Sequence, residues 1–353
     1  MSFSSKIIHW YQENGRSLPW RGIDNPYYIW LSEIILQQTR IEQGRDYYDR
    51  FIHEYPSVCD LAAASEEQIL KSWQGLGYYS RARNLHEAAR TIMEKYHGNF
   101  PNTYSEIRNL KGIGPYTAAA IASFAFKLPY PVIDGNVYRL ITRLYGIYTP
   151  VPSTTAYNEI EQLLKGLIDK ERPDSFNQAV MDFGSIMCRP TNPSCLECPF
   201  QNECVALHDD KVALLPVKAA SVKVRTRYFY YLDMVWHDKK EQHSWMQRRG
   251  SGDIWQGLYE FPLIESEAPW NEKELQTNTT DYFAKYFTTP PSTTTVSNTI
   301  THKLTHQTIE ARFVYAFFES KPIANPENTI QIKQSDLKTL PVSRLIDRYL
   351  SKK

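Results

Sequence analysis

Residues 110–118 read LKGIGPYTA. Two glycines, Gly112 and Gly114, flank one apolar residue, and Pro115 follows at once. Glycine admits a positive φ and a close backbone approach. Proline is pre-set for the first turn of a helix, where its missing N–H costs nothing. The stretch predicts a hairpin between two helices, the second being PYTAAAIASFAF. Amides exposed at such a helix start can hold a phosphate without reading base sequence. A plain interhelical turn has the same pattern, so LKGIG alone does not decide. Further on, VIDGNVYRL (132–140) opens another helix behind a carboxylate, with Asp134 placed as N-cap for a helix beginning near Asn136.

Working outward, the periodic apolar segments make everything up to about residue 206 helical: near 4–14, 27–38, 41–53, 66–72, 80–97, 103–108, 115–126, 135–145, 155–169 and 175–186. Asn25-Pro26 supplies an N-cap and first helical residue. Residues 207–227, polar and basic without clear periodicity, predict a linker. From Tyr228 the pattern turns strand-like: YFYYLDMVW, HSWMQRR, TITHKL and IEARFVYAFF are aromatic and β-branched. Helical stretches near 270–287 and 342–350 interrupt them, predicting an α/β or α+β domain with a small mixed sheet over 228–353. The 353-residue length suits two such domains. No apolar run is long enough for a membrane span, and the N-terminus lacks a secretory signal, so a cytoplasmic protein is the expectation. Net charge is +1, so a nucleic-acid partner has to be held by a local basic face, helix N-termini and backbone amides.

Four of the five cysteines, Cys188, Cys195, Cys198 and Cys204, fall in one short stretch spaced C-x6-C-x2-C-x5-C. That is too local for a disulfide scaffold. Sulfur-only ligation suits zinc or an iron–sulfur cluster, and the spacing leaves both open, beside unrelated thiols. Cys59 stands alone and reads as a small buried hydrophobe. In NPYYIWLSEIILQQTR (25–40), Glu33 shares a helical face with Ile29, Trp30 and Leu36 on a helix apolar almost all round. Burial would raise its pKa and suit it to general-acid work, unless its face opens to solvent.

Hairpin, aspartate and cysteine loop, in that order, resemble the helix-hairpin-helix glycosylases of the endonuclease III superfamily. SEIILQQTR closely resembles the active-site segment of the MutY family of adenine DNA glycosylases. GRSLPWR (15–21), GLGYYSRARNL (75–85), IDGNVYR (133–139) and FNQAVMDFG (176–184) match as well, so the resemblance covers nearly all of residues 5–206. It implies a mainly α N-terminal helix-hairpin-helix glycosylase domain over 1–206, with a [4Fe-4S] cluster held by the four cysteines of the loop 188–204. It also implies base excision repair on double-stranded DNA, by a monomer with no membrane partner. Adenine opposite 8-oxoguanine or guanine would be flipped into a pocket and its glycosidic bond hydrolysed. Glu33 then matches the acid that protonates adenine N7, and Asp134 the carboxylate that stabilises the oxocarbenium-like sugar. Tyr116 matches a tyrosine near the reacting centre, and Asn136 an asparagine that positions water and carboxylate. Arg21, Leu36 and Gln178 match the adenine pocket. Gln37 and Tyr78 match residues inserted into the base stack, and Arg81 and Arg83 become DNA-backbone contacts. Lys111, Gly112 and Gly114 form the phosphate grip, and Arg189 rides on the cysteine loop toward DNA. Members that also cut the backbone carry a lysine where this chain has Tyr116, and a phenol forms no Schiff base. The resemblance therefore implies a monofunctional enzyme using water.

RRGSGDIWQGLYEFPLIE (248–265) is similar to the segment preceding the catalytic box of Nudix hydrolases, and the C-terminal domain resembles the family's MutT-like α/β domain. The following SEAPWNEKELQTN lacks the box's arginine and its paired carboxylates, so no diphosphate-cleaving metal site is expected. The family's lesion-reading Phe-Ser-His loop corresponds here to Leu304, Thr305 and His306, which implies 8-oxoguanine recognition by Thr305 and His306. Leucine in the phenylalanine position departs from the pattern. A glycosylase for thymine opposite guanine, a silent lesion-binding protein and a Nudix-type hydrolase are the competing readings. The MutT-like domain, the intact Glu33 and Asp134, and the missing box count against them in turn.

Overall fold

The computed structural model describes residues 1–219, 224–238 and 241–353. In chain order the helices are α1 (Phe3–Asn14), α2 (Pro26–Ile35), α3 (Ile41–Glu54), α4 (Val58–Ala63), α5 (Glu66–Ser72), α6 (Ser80–Tyr96), α7 (Tyr104–Arg108), α8 (Pro115–Phe126), α9 (Gly135–Tyr145), α10 (Thr154–Leu167), α11 (Pro173–Ile186) and the short α12 (Val205–His208). The described residues group into two units, Met1–Ala63 with Asn84–Ser221, and Ala64–Arg83 with Val222–Lys353.

In the first unit the caps lie where the sequence puts them. Asn25 accepts from the Tyr27 amide with Pro26 at the first turn of α2, and Asp134 caps α9. α9 packs on α11, and α11 on α1, with Ile7, Trp10, Val137, Ile141, Phe176 and Phe183 buried among them. α8 is buried along most of its length because its alanines let neighbours approach closely, and it packs on α2. The periodicity does not announce α4. Cys59 lies on its exposed side while Leu61 is the buried residue, so Cys59 is not the buried hydrophobe expected from sequence. Part of the expected linker, 220–223, lies outside the described residues. The portion before it is pinned within the first unit, where the Val151 amide donates to the Val217 carbonyl at 2.8 Å and the Ala219 amide to the Val151 carbonyl at 3.0 Å.

The second unit holds β1 (Arg225–Asp238), β2 (Glu241–Arg248), β3 (Tyr259–Glu260), β4 (Leu263–Ser266), β5 (Thr293–Val296), β6 (Ile300–Lys303), β7 (Gln307–Phe318), β8 (Thr329–Lys333), α13 (Glu272–Phe283) and α14 (Arg344–Leu350). The sheet is mixed. β1 and β7 run parallel along most of their lengths, and the other pairings are antiparallel. Period-two alternation sends Phe229 and Tyr231 to the face covered by α14, and Tyr230, Leu232, Met234 and Trp236 to the face covered by α13. Helices on both faces explain why β1 reads as an apolar run broken only by Asp233 over 228–236. Residues 64–83 are held in this unit by hydrogen bonds. Arg248 reaches Glu66 at 2.8 Å, the Tyr259 hydroxyl donates to Glu67 at 3.1 Å, and Lys71 donates to the Lys338 and Leu340 carbonyls at 2.6 and 3.2 Å. Among the described residues no helix is long and apolar enough to cross a membrane.

Candidate active site

One cavity of about 740 Å³ in the first unit is lined by Glu33, Asp134, Tyr116 and Asn136, with Arg21, Leu36, Gln37, Gln178, Gly112 and Gly114 around them. Ten residues from five separate sequence segments thus converge. α2 carries Glu33 into the wall. Its carboxyl is buried, and that burial pushes its pKa up to about 7. The neighbouring Asp134 charge pushes the same way, while the nearby Tyr116 hydroxyl and the charge of Arg21 oppose it. A carboxyl poised near neutrality can donate a proton and later take one back.

Asp134 caps α9 and belongs to the cavity at once. Oδ1 accepts from the amides of Asn136 and Val137 at 2.9 and 2.8 Å, and Oδ2 from the Asn136 side chain at 2.7 Å. Burial raises its pKa, against the pull of these donors and of Arg139. The Asn136 amide oxygen accepts from Arg139 at 2.8 Å, and Arg139 also donates to the carbonyls of Cys188 at 2.7 Å and Gly184 at 2.5 Å. A continuous chain of hydrogen bonds therefore runs from the cysteine loop to Asp134.

Arg21 is fixed from behind by Asp182, a fully buried carboxylate on α11. Asp182 accepts from Arg21 at 2.6 and 2.8 Å and also takes the Arg16 guanidinium and amide. Those bonds outweigh burial and lower its pKa, so it stays ionised. Gln178 accepts from the Tyr11 hydroxyl at 2.6 Å, and the Arg21 guanidinium lies over the Tyr11 ring. Asp182, Arg139 and Tyr11 were not singled out from sequence. The available signals were an acid inside the apolar run AVMDFG and an arginine on the inner face of α9, both costly to bury without a partner.

At the hairpin the two glycines differ. Gly112 has φ +75°, and a Cβ there would lie 2.6 Å from the Cβ of Asn84. Gly114, also expected at positive φ, is extended instead (φ −85°) and serves as N-cap of α8, with open space where a Cβ would point. Lys111 is exposed, with Glu87 3.7 Å away.

Tyr78, Thr305 and His306 lie in the second unit. Tyr78 has φ +47°, a strained value for an aromatic residue, is 48 % exposed, and its hydroxyl is 2.6 Å from the Thr305 hydroxyl. Thr305 and His306 form the tip between β6 and β7, closed by the Leu304 amide donating to the Gln307 carbonyl. Leu304 packs against the apolar cluster under α14. Arg81 turns inward over Trp73 and donates to the Gly77 carbonyl at 3.2 Å, and burial lowers its pKa to about 10. Arg83 donates to the Gln256 carbonyl at 2.8 Å. Neither arginine is left wholly to solvent. In α13 both glutamates are committed: Glu274 closes a capping box with Asn271, and Glu272 pairs with Arg312.

Cys188, Cys195, Cys198 and Cys204 are free thiols around one small cavity with an apolar surround of Leu140, Leu144, Phe183 and Phe200. The Arg143 guanidinium lies 3.5 Å from the Cys188 sulfur and donates to the Arg189 carbonyl at 2.8 Å. Four sulfur donors beside a buried cation have the chemistry of an anionic thiolate-ligated centre, but among the described residues no three of them stand as an assembled metal-binding group.

Residues 31–170 match the model of the HhH-GPD superfamily base excision DNA repair proteins, and 234–352 match the NUDIX domain. An adenine DNA glycosylase of Buchnera aphidicola is 32 % identical over 290 residues, covering 81 % of this chain and 82 % of that protein. The adenine DNA glycosylase of Mus musculus is 41 % identical over 58 % of this chain and 42 % of its own. A solved thermostable thymine-DNA glycosylase superposes with TM-score 0.55 at 29 % identity, covering 59 % of this chain and 95 % of its own. The chain belongs to the adenine DNA glycosylase family of base excision repair enzymes.

Proposed function

We propose that this chain hydrolyses the N-glycosidic bond of adenine opposite 8-oxoguanine or guanine in duplex DNA, with water as nucleophile and without cutting the strand. The observation that carries this reading is Glu33, buried, raised to about 7 and sharing its cavity with Asp134, while the position after Pro115 is a tyrosine. Glu33 gives its proton to adenine N7. The C1′–N9 bond breaks with its electron pair going to the base, and the Asp134 carboxylate faces the positive sugar. Water adds to C1′ and returns a proton to Glu33. Arg21, Leu36 and Gln178 hold the base, and Asn136 orients water and Asp134. Gln37 and Tyr78 fill the stack, and the amides of 112–114 with Lys111 grip a phosphate.

Thr305 and His306, at an exposed tip beside Tyr78, read the damaged partner. Cys188, Cys195, Cys198 and Cys204 would hold a [4Fe-4S] cluster, which supplies a rigid anchor for the loop. The test is single-turnover base release from duplexes carrying A opposite 8-oxoguanine, A opposite G, and T opposite G. Adenine release fastest opposite 8-oxoguanine, with no strand cleavage before alkali, is the expected result. Thymine release at an equal or better rate overturns the assignment and favours the reading that the thymine-DNA glycosylase likeness suggests.

A further inference from the structure

A second cleft, of about 880 Å³, lies wholly in the second unit, away from the residues discussed above. Its walls are the hydroxyls and amide of Thr295, Ser297, Asn298, Thr299 and Thr301 on one side, and Arg348, Lys352 and Lys353 on the other. No carboxylate lines it among the described residues. Arg344, Arg348 and Lys352 follow one another at i, i+4 and i+8 along the exposed side of α14 and the turn after it. Arg344 and Arg348 are about 6 Å apart along α14 at helical rise.

Like charges at i,i+4 destabilise a helix, so the row gains nothing for α14 itself. Among the described residues none of the three forms an ion pair. The acid of α14, Asp347, accepts instead from Gln74, and Lys353 is spent on the buried Asp233. Arg344 and Arg348 are close enough to His302 of β6 to depress its pKa, after the larger effect of burial. The row therefore starts beside the strand that leads into the Thr305–His306 tip and follows α14 into the turn after it.

We infer that Arg344, Arg348 and Lys352, with the hydroxyls across the cleft, form a track for the phosphodiester backbone of duplex DNA. The inference rests on the proposed function only in taking DNA as the occupant. A chain of net charge +1 has no global attraction for DNA, so phosphate binding needs local cations, and no carboxylate lines this cleft among the described residues. Hydroxyl donors opposite the cations suit phosphate oxygens and carry no base readout.

The experiment titrates the full chain against a fluorescein-labelled undamaged duplex, by anisotropy, from about 50 to about 200 mM KCl. Arg344→Ala, Arg348→Ala and Lys352→Ala combined should lower the slope of log K against log salt by about 2 to 3, at roughly 0.9 per phosphate lost, and weaken binding on the order of tenfold or more. Arg344→Lys with Arg348→Lys should keep the slope. An unchanged slope in the triple variant overturns the track, as does a slope lost equally in the lysine variant. Saturable ATP binding in the cleft with an unaltered DNA slope also overturns it and makes the site one for a free nucleotide. Absence of adenine release from the unsubstituted chain would strike the proposed function and leave the salt slope to judge the track separately.

Discussion

At Glu33 the same burial serves the chemistry and burdens the fold. The folded protein holds this proton more tightly than an unfolded chain does, with a pKa near 7 against 4.5. Glu33 therefore costs stability increasingly as pH rises from about 4.5 to about 7, reaching about 3 kcal/mol above that range. Glu33→Gln keeps the shape and removes the charge. It should abolish adenine release, by a factor on the order of 10² to 10⁴, while duplex binding persists. The variant should also melt at a higher temperature than the unsubstituted chain at pH about 8, with the gap closing toward pH about 4.5. Base release by the unsubstituted chain should fall about tenfold per pH unit above about 7, as the acid form is lost. Unchanged release in Glu33→Gln, or a rate that rises through neutrality, removes Glu33 from the role. Tyr116 offers the complementary test. Its hydroxyl shares the cavity with Glu33, donates to the Met181 sulfur at 3.9 Å, and has its pKa raised by burial and by the nearby Glu33 carboxyl. Tyr116→Lys places an amine there, and borohydride should then trap a covalent DNA adduct through a Schiff base with C1′. Failure to trap means that the position does not face C1′.

At the scale of elements, the hairpin separates two jobs that its sequence runs together. Gly112→Ala forces a side chain into positive φ and against Asn84, and should destabilise the chain by about 1 to 2 kcal/mol in denaturant titration. Gly114→Ala meets nothing in the fold, so thermal stability should change by less than about 1 kcal/mol. Its Cβ instead stands at the amides that would grip a phosphate, and duplex affinity should drop. Equal stability losses in both variants would show that the two glycines are equivalent after all. The cysteine loop has a spectroscopic test. Protein purified anaerobically should show a broad band near about 400 nm from the iron–sulfur centre, and a colourless zinc protein would refute it. Helices, caps and the long strands were legible because local rules govern them: apolar periodicity, Asn25-Pro26, Asp134 as N-cap, and the aromatic runs of β1 and β7. The cavity's rear wall was not. Asp182 and Arg139 are functional only through partners on other helices, and no spacing in one segment shows which arginine a buried acid will meet. The short strands β3, β4, β5 and β8 were missed for the same reason, since they are strands only because longer neighbours pair with them.

Across the whole molecule, the chain enters the second unit twice, at 64–83 and again near 222. The sequence gives no sign of this, because α5 reads as one more amphipathic helix in a helical series. Yet α5 has seven residues, too few to be stable alone, and its stability has to come from packing. Within its unit it is met by Arg248, Tyr259 and the 338–340 carbonyls, while just beyond it the Tyr79 hydroxyl donates to the Val342 carbonyl and Arg83 to that of Gln256. A chain ending at residue 219 loses every one of these partners at once. Hydrogen exchange on that shortened chain should show the amides of 66–72 exchanging much faster than in the full chain, while those of 115–126 in α8 keep their protection. Tyr78 lies just after α5, so the same truncation should also loosen the residue proposed to enter the base stack, and the shortened chain should bind mispaired duplex less tightly. Equal protection of 66–72 in the two chains would mean that this segment belongs energetically to the first unit, and that its hydrogen bonds to the second contribute little.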